Sequence, residues 1–348
     1  MAESKFENNH IPWFTAVGPV FDTVISSRVR LARNLAGYCF PHQASPPELE
    51  SVIQTAIAAT KQVDRLKTAV PMLLDQFPPL NRQYLLERHL ISQEHSKTGK
   101  QRAVIVSKDE TLSVMVNEED HLRMQCLMPG FSVNTAWEEI NQLDDELAQY
   151  LNYAVSAHWG YLTACPTNVG TGIRASVMLH LPALAMTKQI EKVLQSVAQL
   201  GLAIRGIYGE GSEALGDLYQ ISNQTTLGKS EEAIIAYIED YAKQIISREQ
   251  TVRKQLLIEA RHDVEDAVYR AYGILSHARL ISARETLGLL SHLRLGVNLG
   301  LINDISLTTI NELMIITQPA HLQMTVNRGL DSRMRHMMRA QLIRERIG

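Results

Sequence analysis

A chain of 348 residues, 45% hydrophobic and 20% charged, has the composition of a soluble globular protein and is longer than one core usually organises, so two domains are expected. A net charge of -3 argues against a surface built wholly for nucleic acid. Cys39, Cys126 and Cys165 are too few and too scattered for a disulfide framework or a zinc site. Met1 to His10 is polar, and no apolar run of about 18 residues occurs, so neither a signal segment nor a membrane anchor is read, and a reducing cytoplasm is the expected compartment.

In chain order, the first 20 residues read as a lead-in with Trp13 and Phe14 as docking side chains. Val24 to Asn34 follows as a strand in which Arg28 and Arg30 share a face and Val29 turns away. Two neighbouring guanidiniums repel unless an anion lies between them, which points to phosphate. Ser45 with Glu48 forms a capping box opening a helix marked by Leu49, Val52, Ile53 and Ile57. Ala103–Ser107 and Leu112–Val116 read as a hairpin that delivers Asn117-Glu118-Glu119-Asp120-His121-Leu122-Arg123. Carboxylates directly after a strand can hold Mg²⁺, accept protons or clamp a cation.

Thr135 with Glu138 gives a second capping box, leading into a helix through Ile140, Leu143, Leu147 and Leu151. The stretch Cys165-Pro-Thr-Asn-Val-Gly-Thr-Gly-Ile-Arg174 combines a thiol, two glycines able to admit a phosphate to the main chain, and an arginine opening a strand through Leu181. A helix over Ile190 to Leu200 stops at Gly201. A strand with Arg205 then runs into the glycine-rich segment Gly206 to Glu213, and Gly216 to Asn223 is expected to close the sheet. From Ser230 onward the patterns are helical, with a boundary expected near residue 255. The end of the chain carries Arg328, Arg333, Arg335, Arg339, Arg344 and Arg346, a candidate anion-docking face.

Arg28, Arg30, Arg123, Arg174 and Arg205 come from four segments at or beside strands, a set suited to a nucleotide triphosphate, while P-loop and protein-kinase signatures are absent. A guanidinium acceptor is a weak nucleophile, so carboxylates must align it and take a proton. Glu119 and Glu210 are chosen, with Cys165 as an orienting thiolate.

Ser26-Ser27-Arg28-Val29-Arg30, Asn117 to Arg123, Cys165 to Ser176, Arg205 to Glu210 and Tyr219 to Asn223 together resemble the phosphagen (guanidino) kinase family over residues 20 to 230. The resemblance implies an α+β fold, an antiparallel sheet flanked by helices, followed by an all-α C-terminal domain: residues 1–255 catalytic and 256–348 for dimerisation and client docking. It implies Mg²⁺-ATP as donor. The implied nucleotide contacts are Ser26, Ser27, Arg28, Val29, Arg30, His89, Arg123, Arg174, Ala175, Ser176, Val177, Met178, Arg205, Gly206, Ile207, Tyr208 and Gly209, with Glu119, Glu210 and Cys165 on the guanidinium.

The chain shows no all-helical first domain of the creatine and arginine kinase type and carries a helical C-terminal region instead. In this it is similar to the bacterial protein-arginine kinases. That likeness implies protein substrates with exposed arginines, a zinc-binding activator, a Clp chaperone-protease, a homodimer, a role in stress response, and a phosphoarginine site at Arg335 and Arg339. There His336 stands where the family motif has an acid. The alternatives are a kinase of a free guanidino compound and a catalytically weak phosphoarginine-binding adaptor.

Overall fold

The computed structural model of the chain describes residues 11–97, 101–206, 214–326 and 329–348. Its strands are β1 (Val24–Arg33), β2 (Met72–Leu73), β3 (Ala103–Val106), β4 (Leu112–Val116), β5 (Leu122–Pro129), β6 (Val155–Ser156), β7 (Gly160–Tyr161), β8 (Ile173–His180), β9 (Leu202–Arg205) and β10 (Leu218–Asn223). Its helices are α1 (Pro46–Thr60), α2 (Pro79–Glu87), α3 (Gln93–Ser96), α4 (Val133–Ala148), α5 (Pro182–Met186) and α6 (Ile190–Gln199), then α7 (Glu231–Glu259), α8 (Arg261–His277), α9 (Ala283–Asn298), α10 (Leu307–Ile316), α11 (Pro319–Val326) and α12 (Ser332–Ile347).

Among the described residues, eight strands form one antiparallel sheet in the order β2-β3-β4-β5-β1-β8-β10-β9, and β6 and β7 pair as a separate hairpin. β1, the strand of the two arginines, is central, between β5 and β8. The expected α+β architecture with a helical C-terminal region is what the chain adopts. Two local readings shift. β10 lies inside the sheet and β9 forms its edge, so the strand expected to close the sheet is an interior one. α4 starts at Val133 after Ser132, which places Thr135 inside the first turn rather than at the cap.

The two faces of the sheet differ as the period-two alternation of a strand requires. Val29 pairs with Cys126 and Ala175, and Leu31 with Met124, giving an apolar face. Ile140, Leu143 and Leu147 of α4 and Ile234 and Ile238 of α7 join these residues in one buried core. α4 contacts β1 and β5, and α7 contacts β8.

α1 opens on the expected capping box, in which the Ser45 amide donates to the Glu48 carboxylate at 2.8 Å. α7 begins at the Ser230 cap and runs through residue 255 to Glu259, and the chain breaks helical geometry at Ala260 before α8. The C-terminal helices meet the sheet through a buried polar junction. Arg294 of α9 donates to the carbonyls of Phe21 at 2.6 Å and Asp22 at 2.8 Å, and His180 at the end of β8 contacts both Ser291 and Arg294 at 2.9 Å.

Candidate active site

The opposite face of the sheet carries the arginines. Directly opposed residues in a ladder share a face. Arg30 opposes Arg174 and Gln125, Ala32 opposes Arg123, and Arg28 opposes Ser176. Gln220 opposes both Met178 and Arg205, which carries the face across to the edge strand. The cations expected from four separate segments thus meet on one surface. They line a cavity of about 810 Å³ together with His89, Glu118, Glu119, Cys165 and Gln220.

This surface is electrostatically unfavourable as it stands. Burial, followed by the neighbouring cations Arg123, Arg174 and Arg205, pushes the Arg28 guanidinium down to about 10. Arg30 is pushed well down by the same cause, burial, and by Arg28, Arg123 and Arg174, against the pull of Glu118. Arg30 Nε is buried and makes no hydrogen bond among the described residues. Arg28 has one neutral support, donating from Nη2 to Gln220 Oε1 at 2.8 Å. An anion in the cavity would remove the repulsion and satisfy donors whose burial is otherwise costly.

The three acids after β4 have separate roles that their sequence does not announce. Glu118 is buried, accepts from Ser92 and pairs with Arg123. Burial raises its pKa, yet the Arg123 charge and these bonds outweigh that and hold the carboxyl at about 2. Asp120 is also buried; its Oδ1 accepts from Asn34 Nδ2 and from the Ala164 amide, each at 2.6 Å.

Asn34 in turn donates to the Leu162 carbonyl at 3.0 Å and accepts from the His121 amide at 2.8 Å. These bonds fasten the acidic turn to the chain entering Cys165. Glu119, between two anchored neighbours, is exposed, lines the cavity and makes no hydrogen bond or ion pair among the described residues. Although its surface is open to solvent, the cleft partly desolvates the carboxyl, and this first, then Glu118 and Asp120, push its pKa up, against Arg123. A carboxylate with a raised pKa beside a cationic cleft is a suitable proton acceptor.

Cys165 stands on the same cavity, half-buried, with Sγ 3.0 Å from Thr167 Oγ1. Pro166–Asn168 continues as one short helical turn, so the thiol sits at a fixed bend. The two glycines beyond it take positive φ, but the close approach they allow is to the protein's own chain. A Cβ at Gly172 would stand 2.6 Å from the Ala32 carbonyl oxygen, and one at Gly170 2.9 Å from that of Thr226. Gly172 also lines the arginine cavity, so the approach of a phosphate to its main chain stays a proposal beside this packing.

His89, at φ 56, forms part of the cavity wall, and burial and Arg28 push its pKa down to about 3, which keeps it neutral. Ser26, Ser176 and Met178 line a smaller pocket that shares Arg28, His89 and Gln220 with the main cavity. Val29, Ala175 and Val177 do not join them; alternation turns their side chains into the core. Ser27 also faces away, donating to the Gly130 carbonyl at 2.9 Å.

Gly206 is buried at the end of β9 and is not among the cavity residues. Ile207, Tyr208, Gly209 and Glu210 lie outside the described residues. Arg335 and Arg339 sit on α12. Arg335 donates to the Leu330 carbonyl at 2.6 Å, and Arg339 is buried, donating to the carbonyls of Thr317 at 2.7 Å and Ile281 at 3.1 Å.

Sequence reasoning passed over Ser92, Asn34 and Gln220. Only Gln220 had a usable signal, its place two residues before Ser222 on β10, between the strands of Arg174 and Arg205.

Comparison with known proteins bears on the same residues. Residues 48–252 match the family described as ATP:guanido phosphotransferase, C-terminal catalytic domain, and residues 261–348 match the Protein-arginine kinase McsB C-terminal domain. The chain is 47% identical over 335 residues to the protein-arginine kinase of Halothermothrix orenii, covering 96% of each. It is 48% identical over 339 residues to that of Symbiobacterium thermophilum, again covering 96% of each.

Among solved structures, a lombricine kinase superposes with a TM-score of 0.60 at 28% identity, covering 67% of this chain and 68% of that one. The duplicated taurocyamine kinase of Schistosoma mansoni gives 0.62 at 25% identity, covering 71% of this chain and 36% of that one. With Arg123, Arg174, Arg205, Glu119 and Cys165 inside the matched catalytic region and Arg28 and Arg30 on the strand ahead of it, the chain belongs to the ATP:guanido phosphotransferase family, among its protein-arginine kinases.

Proposed function

We propose that this enzyme transfers the γ-phosphoryl group of Mg²⁺-ATP to the guanidinium of arginine side chains in proteins. The observation that carries the reading is the convergence, on one cavity, of five arginines with a thiol and, among the described residues, a single uncommitted carboxylate. The protein-arginine kinase relatives, matched over nearly their whole length, support the choice of acceptor.

In this reading Arg28, Arg30, Arg123, Arg174 and Arg205 neutralise the phosphates and hold the γ-group in line with its acceptor. Phosphoryl transfer rests on such positioning and charge stabilisation. His89, Ser26, Ser176 and Met178 form the nucleotide side. Glu119 aligns the acceptor guanidinium and takes its proton as the nitrogen attacks phosphorus, and Cys165 orients the same group. Glu210 is the proposed second carboxylate.

Among the described residues no three His, Cys, Asp or Glu side chains group as a metal site. In this proposal Mg²⁺ would be carried by the nucleotide phosphates. Bound there, the ion would neutralise charge on the β- and γ-phosphates.

The division into a catalytic unit, 1–255, and a helical unit, 256–348, belongs to the same proposal. So do the homodimer, the zinc-binding activator, delivery of marked clients to a Clp protease under stress, and a cytoplasmic setting. No helix among the described residues is long and apolar enough to cross a membrane.

Incubation with ATP and either an unfolded arginine-rich protein or free arginine tests the assignment. Acid-labile phosphate on the protein is the expected product. Phosphate on free arginine alone would favour a free-guanidine kinase.

A further inference from the structure

α2 ends on Glu87, a buried carboxylate whose partners lie 233 and 234 residues further along the chain. Its Oε1 accepts from the Ala320 amide at 3.0 Å. Its Oε2 accepts from the His321 amide at 3.1 Å and from His321 Nδ1 at 2.9 Å. An ionised carboxylate only accepts, so His321 carries its proton on Nδ1. The His321 ring centre lies 4.3 Å from that of Tyr84, which fixes α11 against the body of α2 as well as its end. Anionic Glu87 thus satisfies the free amides at the α11 N-terminus and complements its dipole. The turn leading into α11 is itself held, because Arg339 donates to the Thr317 carbonyl at 2.7 Å.

On the other side, Glu87 is two residues from His89. After α2 the chain turns left-handed at His89, whose carbonyl accepts from Gln125 Nε2 at 2.7 Å and whose ring enters the cavity wall near Arg28. One wall of the cavity therefore continues directly from a helix end that the C-terminal region secures.

We propose that Glu87 is a positioning residue for the nucleotide side of the site. Its bonds to α11 set the last turn of α2 and hence His89 against Arg28, so the C-terminal helices contribute to ATP binding although none of their described residues lines the cavity. The inference rests on reading that wall as the nucleotide side.

The test uses the full-length chain with Glu87→Leu and Glu87→Gln, measuring ATP affinity, kcat, the KM values for ATP and for a protein acceptor, and the thermal midpoint. Loss of this carboxylate should raise the KM for ATP about fivefold or more, the equivalent of roughly one hydrogen bond's free energy. kcat and the acceptor KM should change less than about twofold, a split that marks lost binding rather than lost chemistry. Glu87→Gln keeps a carbonyl acceptor for the α11 amides and should fall between wild type and Glu87→Leu.

An ATP KM equal to wild type in folded Glu87→Leu overturns the proposal, as does a loss shared equally by kcat and both KM values. Should Glu87→Leu fail to fold, the same two criteria are applied to Glu87→Gln. A wild-type protein that does not bind ATP would strike the functional reading instead.

Discussion

Arg30 and Arg174 are directly opposed partners in the β1–β8 ladder, so two guanidinium side chains project from adjacent strands onto one face. Like charges so placed destabilise a sheet. Both residues line the cavity, and burial compounds the repulsion on Arg30. Arg30→Met should therefore raise the stability of the nucleotide-free protein by about 1 kcal/mol while severely weakening ATP binding. Chemical denaturation and a binding titration on the same preparation check both halves; a variant that is less stable than wild type contradicts the strain.

The two ends of the Cys165 to Arg174 stretch should separate in kinetics. Cys165 lies near the acidic turn and Arg174 among the phosphate-facing cations. Cys165→Ala is expected to lower turnover more than ATP affinity, and Arg174→Ala to lower both. Steady-state kinetics with ATP and acceptor varied separately distinguishes this from the reverse order.

Asp120 tests whether the acidic turn needs its anchors. Its carboxylate joins Asn34 and the Ala164 amide, and so ties the turn of Glu119 to the loop of Cys165. Asp120→Ala should reduce kcat by about tenfold or more through misplacement, with the ATP KM little changed. Unaltered turnover would show that Glu119 is placed without this clamp.

Acid should destabilise the protein in two windows. His89 has its folded pKa lowered from 6.5 to about 3, so the unfolded chain binds the extra proton first, and stability is lost as pH falls below 6.5. Glu118 is lowered from 4.5 to about 2, so its contribution is present above 4.5 and lost as pH falls toward 2. His95 and His180 act in the same direction as His89. Urea unfolding of His89→Gln should show a shallower loss of stability between pH 6.5 and 4.5, by up to about 1.4 kcal/mol per pH unit. An unchanged slope would mean that His89 takes up its proton in the fold.

Much of this site could be read from the chain because its cations obey a short local rule. Arg28 and Arg30 alternate with Val29, so one glance at period two puts both on a face and predicts the apolar opposite side. The same rule explains why Val29, Ala175 and Val177 could not be side-chain contacts, although they sit inside the matching motifs.

What was not legible depends on distant partners. Three adjacent acids look alike until Arg123 and Ser92 take Glu118 and Asn34 takes Asp120, and only then is Glu119 left facing the cavity. Gly170 and Gly172 signal close approach without saying to what, and the answer is the backbone of β1 and of Thr226. Glu87 carries no local signal, since its partners on α11 lie 233 and 234 residues away.

Glu119 is where the whole account meets chemistry, and single-turnover transfer of the γ-phosphoryl group to a protein arginine, comparing wild type with Glu119→Gln at saturating ATP, tests it most directly. The variant should bind ATP as wild type does and transfer about 100-fold or more slowly, the usual scale for loss of a general base. Equal transfer rates would contradict the assignment of Glu119 as the base that readies the guanidinium.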